Sequence, residues 1–92
     1  MGANAARHTL EILDNVRHVL AIELLAAAQA IDLRPAGPDR LGRGTVRAYT
    51  GIRRCVPYLA HDRATTPDIE ALADLIRSGD LLAAVGDALD SM

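Results

Sequence analysis

Three histidines, one cysteine, two serines and one isolated glutamate are the side chains of this 92-residue sequence whose types could do more than solvate a surface. A metal site wants His, Cys, Asp or Glu clustered at ligand spacing, but His8, His18 and His61 are scattered, and His8 and His18 stand ten residues apart. Near-alignment on one helical face accounts for that pair, and no metal is expected. Cys55 has no histidine close in sequence, so it reads as an inert helix residue rather than a thiolate nucleophile. Ser78 falls at an expected helix end and Ser91 at the chain terminus, neither in a strand-turn-helix elbow. No glycine-rich loop joins a strand to a helix, so there is no phosphate cradle. No catalytic residue is therefore expected on this chain.

Glu23 is the residue in conflict with its surroundings. It interrupts the run Val19 to Ala28, which is otherwise apolar on every helical face. A carboxylate is costly to bury unless paired or protonated, so Glu23 is expected to be a buried polar residue that meets an arginine, a capping amide or a polar site on a partner. On that reading Glu23→Gln lowers stability more than it changes any activity.

The elements that carry these residues are helical. No Pro or Gly occurs from Ala3 to Leu33, and Leu10, Leu13, Leu20, Leu24, Ala27 and Ile31 recur at intervals of three, four and seven. One helix of about thirty residues follows. Its first half has a water-facing stripe of Asn4, Arg7, His8, Glu11, Asp14, Asn15 and His18, whereas its second half is hydrophobic nearly all round, as a buried helix is. Arg34 to Asp39 holds two prolines and a glycine and breaks the helix. Thr45 is the expected N-cap of a second helix with Val46, Tyr49, Ile52 and Val56 on one face, ending before Pro57. Thr66-Pro67-Asp68 reads as N-cap, N1 proline and first-turn acid of a third helix through Ile69, Leu72 and Ile76. Ser78-Gly79 closes it with a left-handed cap, and Asp80 caps a last short helix bearing Leu81, Leu82, Val85 and Leu89. The class is all-α: a long bundle helix over 1–34, then a cap of three short helices over 35–92.

Composition says that this unit is short of core. Half of the residues are hydrophobic, yet there is no Trp or Phe and only two Tyr, so the bulk falls to Leu, Ile, Val and many Ala. Ala buries little area per residue, and a chain of this size buries only about 60–65% of its unfolded surface. A partner supplying apolar surface is expected. Five arginines between Pro35 and Ala60 face one acid, while His61 to Met92 holds seven acids against Arg63 and Arg77. Mutual neutralisation or plain solvation explains this asymmetry. Nucleic acid is not expected as a partner, because the acidic tail offsets the arginines and no aromatic platform accompanies them. The most apolar run, Val19 to Leu33, has 15 residues with Glu23, Gln29 and Asp32 among them, short of the roughly 20 that a membrane span requires. With one cysteine and no basic-plus-apolar leader, cytoplasm is the expected compartment.

Several separated segments carry a resemblance. Met1-Gly2-Ala3-Asn4-Ala5-Ala6-Arg7, the run Asn15 to Arg34, Val56-Pro57-Tyr58-Leu59, Asp62 to Glu70 and Leu75-Ile76-Arg77-Ser78-Gly79 together resemble the last part of a bacterial histidine ammonia-lyase, in order and spacing. The resemblance covers nearly all of the chain. It implies a helical-bundle lyase that eliminates ammonia from an aromatic amino acid, histidine to urocanate first among them, and assembles as a homotetramer with shared active sites. The family's electrophile is a methylidene-imidazolone made from an internal Ala-Ser-Gly. No Ala-Ser-Gly occurs here, the only Ser-Gly following Arg77. The family's active-site glutamate lies just before the segment that Met1-Gly2 matches, so Glu23 is not its counterpart.

Two functions follow as expectations. The chain is a C-terminal piece or subunit of such a lyase, with a packing and oligomerisation role and no cofactor of its own. Alternatively it is a free-standing helical oligomerisation or accessory module. The expected partners are the chain itself, as a homo-oligomer, or an upstream lyase polypeptide. In isolation the expected association face is Leu13, Leu20, Leu24, Ala27 and Ile31.

Overall fold

The computed structural model describes residues 2–58 and 65–90. Among them the chain is all-α, with helices α1 (Gly2–Leu33), α2 (Arg43–Cys55), α3 (Thr66–Ser78) and α4 (Asp80–Asp90) and no strand. The uninterrupted non-Gly, non-Pro run gives α1 its 32 residues, a rod of about 48 Å at 1.5 Å per residue.

The breaker after α1 is pinned from within. The Arg34 guanidinium donates to the carbonyls of Gly37 (2.6 Å) and Asp39 (2.8 Å), and Gly37 turns the chain at φ 56°. α2 then starts two residues before the expected Thr45 cap. Gly42 is its N-cap in extended conformation, with no side-chain cap bond; its carbonyl accepts from Val46 N–H at 2.8 Å. Val56 ends α2 at φ −134°, ψ 111°, the extended conformation that the following Pro57 imposes. α3 likewise begins one residue early. Thr65, not Thr66, is the N-cap, and it makes no side-chain cap bond. Pro67 and Asp68 lie in the first turn as expected. Gly79 adopts φ 83°, the left-handed cap that glycine takes without a Cβ penalty. Asp80 is the first residue of α4 rather than its cap.

The helices form a slab of 53 × 38 × 16 Å. α1 lies along α3 and α2 along α4. Their shared core is small: Ala21 and Ala28 of α1, Ile52 of α2, Val56 just beyond it, and Leu72 and Ala73 of α3. Leu72 and Val56 are the largest fully buried side chains. Ala21 and Ala28, seven residues apart, let α1 approach its neighbours closely, and Leu24, Leu25, Tyr49, Ile69 and Ile76 pack around them. The core thus draws on both sides of residue 34.

The slab is under-filled for its length. Its radius of gyration is 15.2 Å, against about 12 Å for a compact chain of this size. It exposes 6425 Å², where a folded chain of 9.8 kDa typically exposes about 5,200 Å².

Candidate functional site

The inward face of α1 carries the polar contacts. Asp32 near its C-terminal end is bound from α2 by three donors: Tyr49 hydroxyl to Oδ1, and Arg53 Nε (2.9 Å) and Nη2 (2.7 Å) to Oδ2. Arg53 also donates to Val56 carbonyl at 3.2 Å and to Gln29 Oε1 at 3.4 Å. Its guanidinium carbon lies 5.9 Å from the ring centroids of both Tyr49 and Tyr58. The Asp32 hydrogen bond, followed by burial, pushes the Tyr49 phenol above its ordinary range. This network fastens α1 to α2.

A second polar group fastens α1 to α3. His18 Nδ1 is 2.8 Å from the carbonyl oxygen of Asp14, one turn back, and His18 Nε2 is 3.0 Å from Glu70 Oε1. Arg77 bridges Asp14 (3.0 Å) and Asp74 (2.6 Å). The contact with the Asp14 carbonyl, then that with Glu70, raises the His18 pKa, because both favour imidazolium.

These arrangements hold helices together. No group of three His, Cys, Asp or Glu side chains suited to a metal ion occurs among the described residues. Burial pushes the Cys55 thiol above its ordinary range, away from thiolate reactivity. His61 and Ser91 lie outside the described residues. Ser78 is exposed at the last turn of α3, its hydroxyl donating to Leu75 carbonyl at 2.9 Å. Ser78-Gly79 at a solvated helix end, preceded by Arg77, does not fit a methylidene-imidazolone. No described helix is long and apolar enough to cross a membrane.

One outward stripe of α1 is largely apolar. Ile12, Val16, Val19, Glu23, Ala26 and Ala30, alternately four and three residues apart, are all exposed, the spacing of a helix-packing seam. Val19 is 54% and Ile22 51% exposed. Two grooves flank Glu23. One, of about 290 Å³, is lined by Ile12, Asn15, Val16, Val19, Leu20 and Glu23. The other, of about 610 Å³, runs between the helices, bounded chiefly by Leu20, Leu24, Ala27, Ile76, Leu81 and Leu82 with Glu23 at its edge. Glu23 is the charged residue lining each.

Two expected features each invoke a partner, and the single chain shows them as follows. Glu23 is exposed rather than buried in the single chain, and no described residue pairs with it. The outward turn of this part of α1 leaves its carboxylate in solvent. The expected association face is also divided. Leu24 and Ile31 are half-buried against the other helices, whereas Leu13, Leu20 and Ala27 remain exposed. The outer seam lies further round the helix, through Ile12, Val16 and Val19. The Asp32–Arg53–Tyr49 network was missed; its only sequence signal was an acid at the end of an apolar run.

Comparison with known proteins gives a consistent result. The family model for aromatic amino acid lyases matches residues 1–54. The chain is 53% identical over 85 residues to a histidine ammonia-lyase of Symbiobacterium thermophilum, covering 92% of this chain and 16% of that protein. It is 47% identical over 89 residues to one from Sorangium cellulosum, covering 97% and 17%. It is 38% identical over 92 residues to one from Fusobacterium nucleatum, covering 100% and 18%. The chain thus spans about a sixth of the length of these curated relatives. No solved structure matches it.

Proposed function

Because the chain belongs to the aromatic amino acid lyase family, we propose that it is the non-catalytic closing helical segment of an ammonia-lyase acting on an aromatic amino acid, histidine first among the candidates. Its role is packing: α1 joins a helix bundle completed by polypeptide that the chain lacks. Several features support this reading. Identity of 38–53% extends over nearly the whole chain but over only 16–18% of the relatives. The chain holds no Ala-Ser-Gly, and its polar clusters are spent on fastening helices. The observation that carries the reading is the apolar outer face of α1, which a solitary unit would not leave open over this length.

A second reading, a free-standing helical module, is favoured by one observation. The four helices already enclose a common core around Leu72 and Val56, so the chain has some means of folding alone. Co-expression with the Symbiobacterium enzyme lacking its 85 matched residues separates the two. Co-purification in equal amounts supports the lyase segment. A chain that purifies alone as a closed oligomer supports the module.

A further inference from the structure

Glu23 sits on the ridge between two apolar grooves, and neither groove offers it a counter-charge. We propose that this surface receives an apolar helix of the upstream lyase polypeptide that carries an arginine or lysine directed at Glu23. The inference rests on the lyase reading and adds to it the position and chemistry of the contact.

Three observations lead to this occupant. The first is area. The chain exposes roughly 1,200 Å² more than a compact chain of its mass, and a standard interface buries about 800 Å² per partner. The excess over the whole chain is thus of the size that one interface covers. The second is form. Ile12, Val16, Val19, Glu23, Ala26 and Ala30 follow the alternating four-three spacing by which one helix accepts another, and an apolar groove lies on either side of Glu23.

The third observation is charge, and it separates an upstream helix from a second copy of this chain. When the surface is covered, the Glu23 carboxylate loses water and must gain a donor, since an unpaired buried charge is strongly unfavourable. The exposed residues flanking the seam on either side of Glu23 are Val19, Leu20, Ala26 and Ala27. A second copy laid in register along this seam sets the same apolar residues and another carboxylate opposite Glu23, its exposed Arg7 and Arg34 lying toward the two ends of the helix. The relatives are between five and six times as long as this chain, so polypeptide that can bring a cation is available in them.

The test places this chain in an intact relative. Its 92 residues replace the matched segment of the Symbiobacterium enzyme, and Glu23→Gln, Glu23→Leu and Glu23→Arg are compared in that chimera and in the isolated chain. In the isolated chain, Glu23→Gln leaves the thermal midpoint unchanged, because the carboxylate has no partner there. In the chimera, Glu23→Gln lowers the midpoint by several degrees, Glu23→Arg abolishes assembly, and an upstream Arg→Glu or Lys→Glu change restores it. A chimera in which Glu23→Gln and Glu23→Leu equal or exceed the parent overturns the proposal while leaving the lyase reading intact. A parent chimera that does not assemble overturns both. An isolated chain that dimerises, and more tightly with Glu23→Leu, identifies a second copy as the occupant and also overturns the proposal.

Discussion

Asp32 and Arg53 set a quantitative test of how this thin slab holds together. Their side chains are only 15% and 12% exposed, and Asp32 accepts from Tyr49 as well as from two nitrogens of Arg53. Asp32→Ala would leave the Tyr49 hydroxyl and Arg53 Nε without their acceptor, while Arg53 keeps its bonds to the Val56 carbonyl and Gln29. Breaking a fully buried pair costs about 3–5 kcal/mol; the residual solvent access reduces this to about 2–3 kcal/mol. For a domain of this length that loss lowers the melting midpoint by about 10 °C or more. Arg53→Met removes the other partner and retains much of the stem packing against Tyr49 and Tyr58. The double variant then loses less than the sum of the singles, with a coupling of about 1–3 kcal/mol. Urea unfolding of the four proteins, followed by far-ultraviolet circular dichroism, closes the cycle. A coupling below about 0.5 kcal/mol would refute the view that this network fastens α1 to α2.

Two further outcomes are expected. Leu72→Ala removes the largest fully buried aliphatic side chain and lowers stability by about 2–5 kcal/mol, enough to leave a domain of this size partly unfolded at ambient temperature; a urea midpoint unchanged from the parent would contradict the assigned core. His18 has its pKa raised above the ordinary 6.5 by the Asp14 carbonyl and by Glu70, so its stabilising contribution is fully present below pH 6.5, while the carboxylates stay ionised, and is lost as pH rises through the folded-state pKa. The parent should therefore lose thermal stability relative to His18→Gln as pH rises above about 6.5, with the ring protons titrating above the ordinary value by NMR.

The helices themselves are legible because their signals are local. The unbroken run from Ala3 to Leu33, the Pro35-Gly37-Pro38 breaker, Pro57 and Gly79 each act on their own few residues, and each marks a boundary in the structure. The threonine caps are less legible. Thr45 and Thr66 have the right chemistry, but Gly42, three residues earlier, and Thr65, one earlier, take the cap positions without side-chain bonds.

The partners of the polar residues are not legible at all. Asp32 meets a residue 21 positions away, His18 one 52 away and Arg77 one 63 away. Nothing in the local pattern chooses among ten arginines. The association face shows the same limit from another side. Apolar periodicity marks much of the circumference of α1, and only the docking of α2, α3 and α4 shows that Leu24 and Ile31 turn inward and Ile12, Val16 and Val19 outward. Glu23 was legible as an anomaly, whereas its side of the helix was not.

The central claim, that this chain is a working closing segment of an aromatic amino acid lyase, is tested most directly by the rate of urocanate formation from histidine in the Symbiobacterium chimera carrying it. Activity within about tenfold of the parent enzyme, a loss of about 1.4 kcal/mol at most in the barrier, is the predicted result. A chimera that assembles normally but forms no urocanate, or an isolated 92-residue chain that eliminates ammonia unaided, would contradict the account.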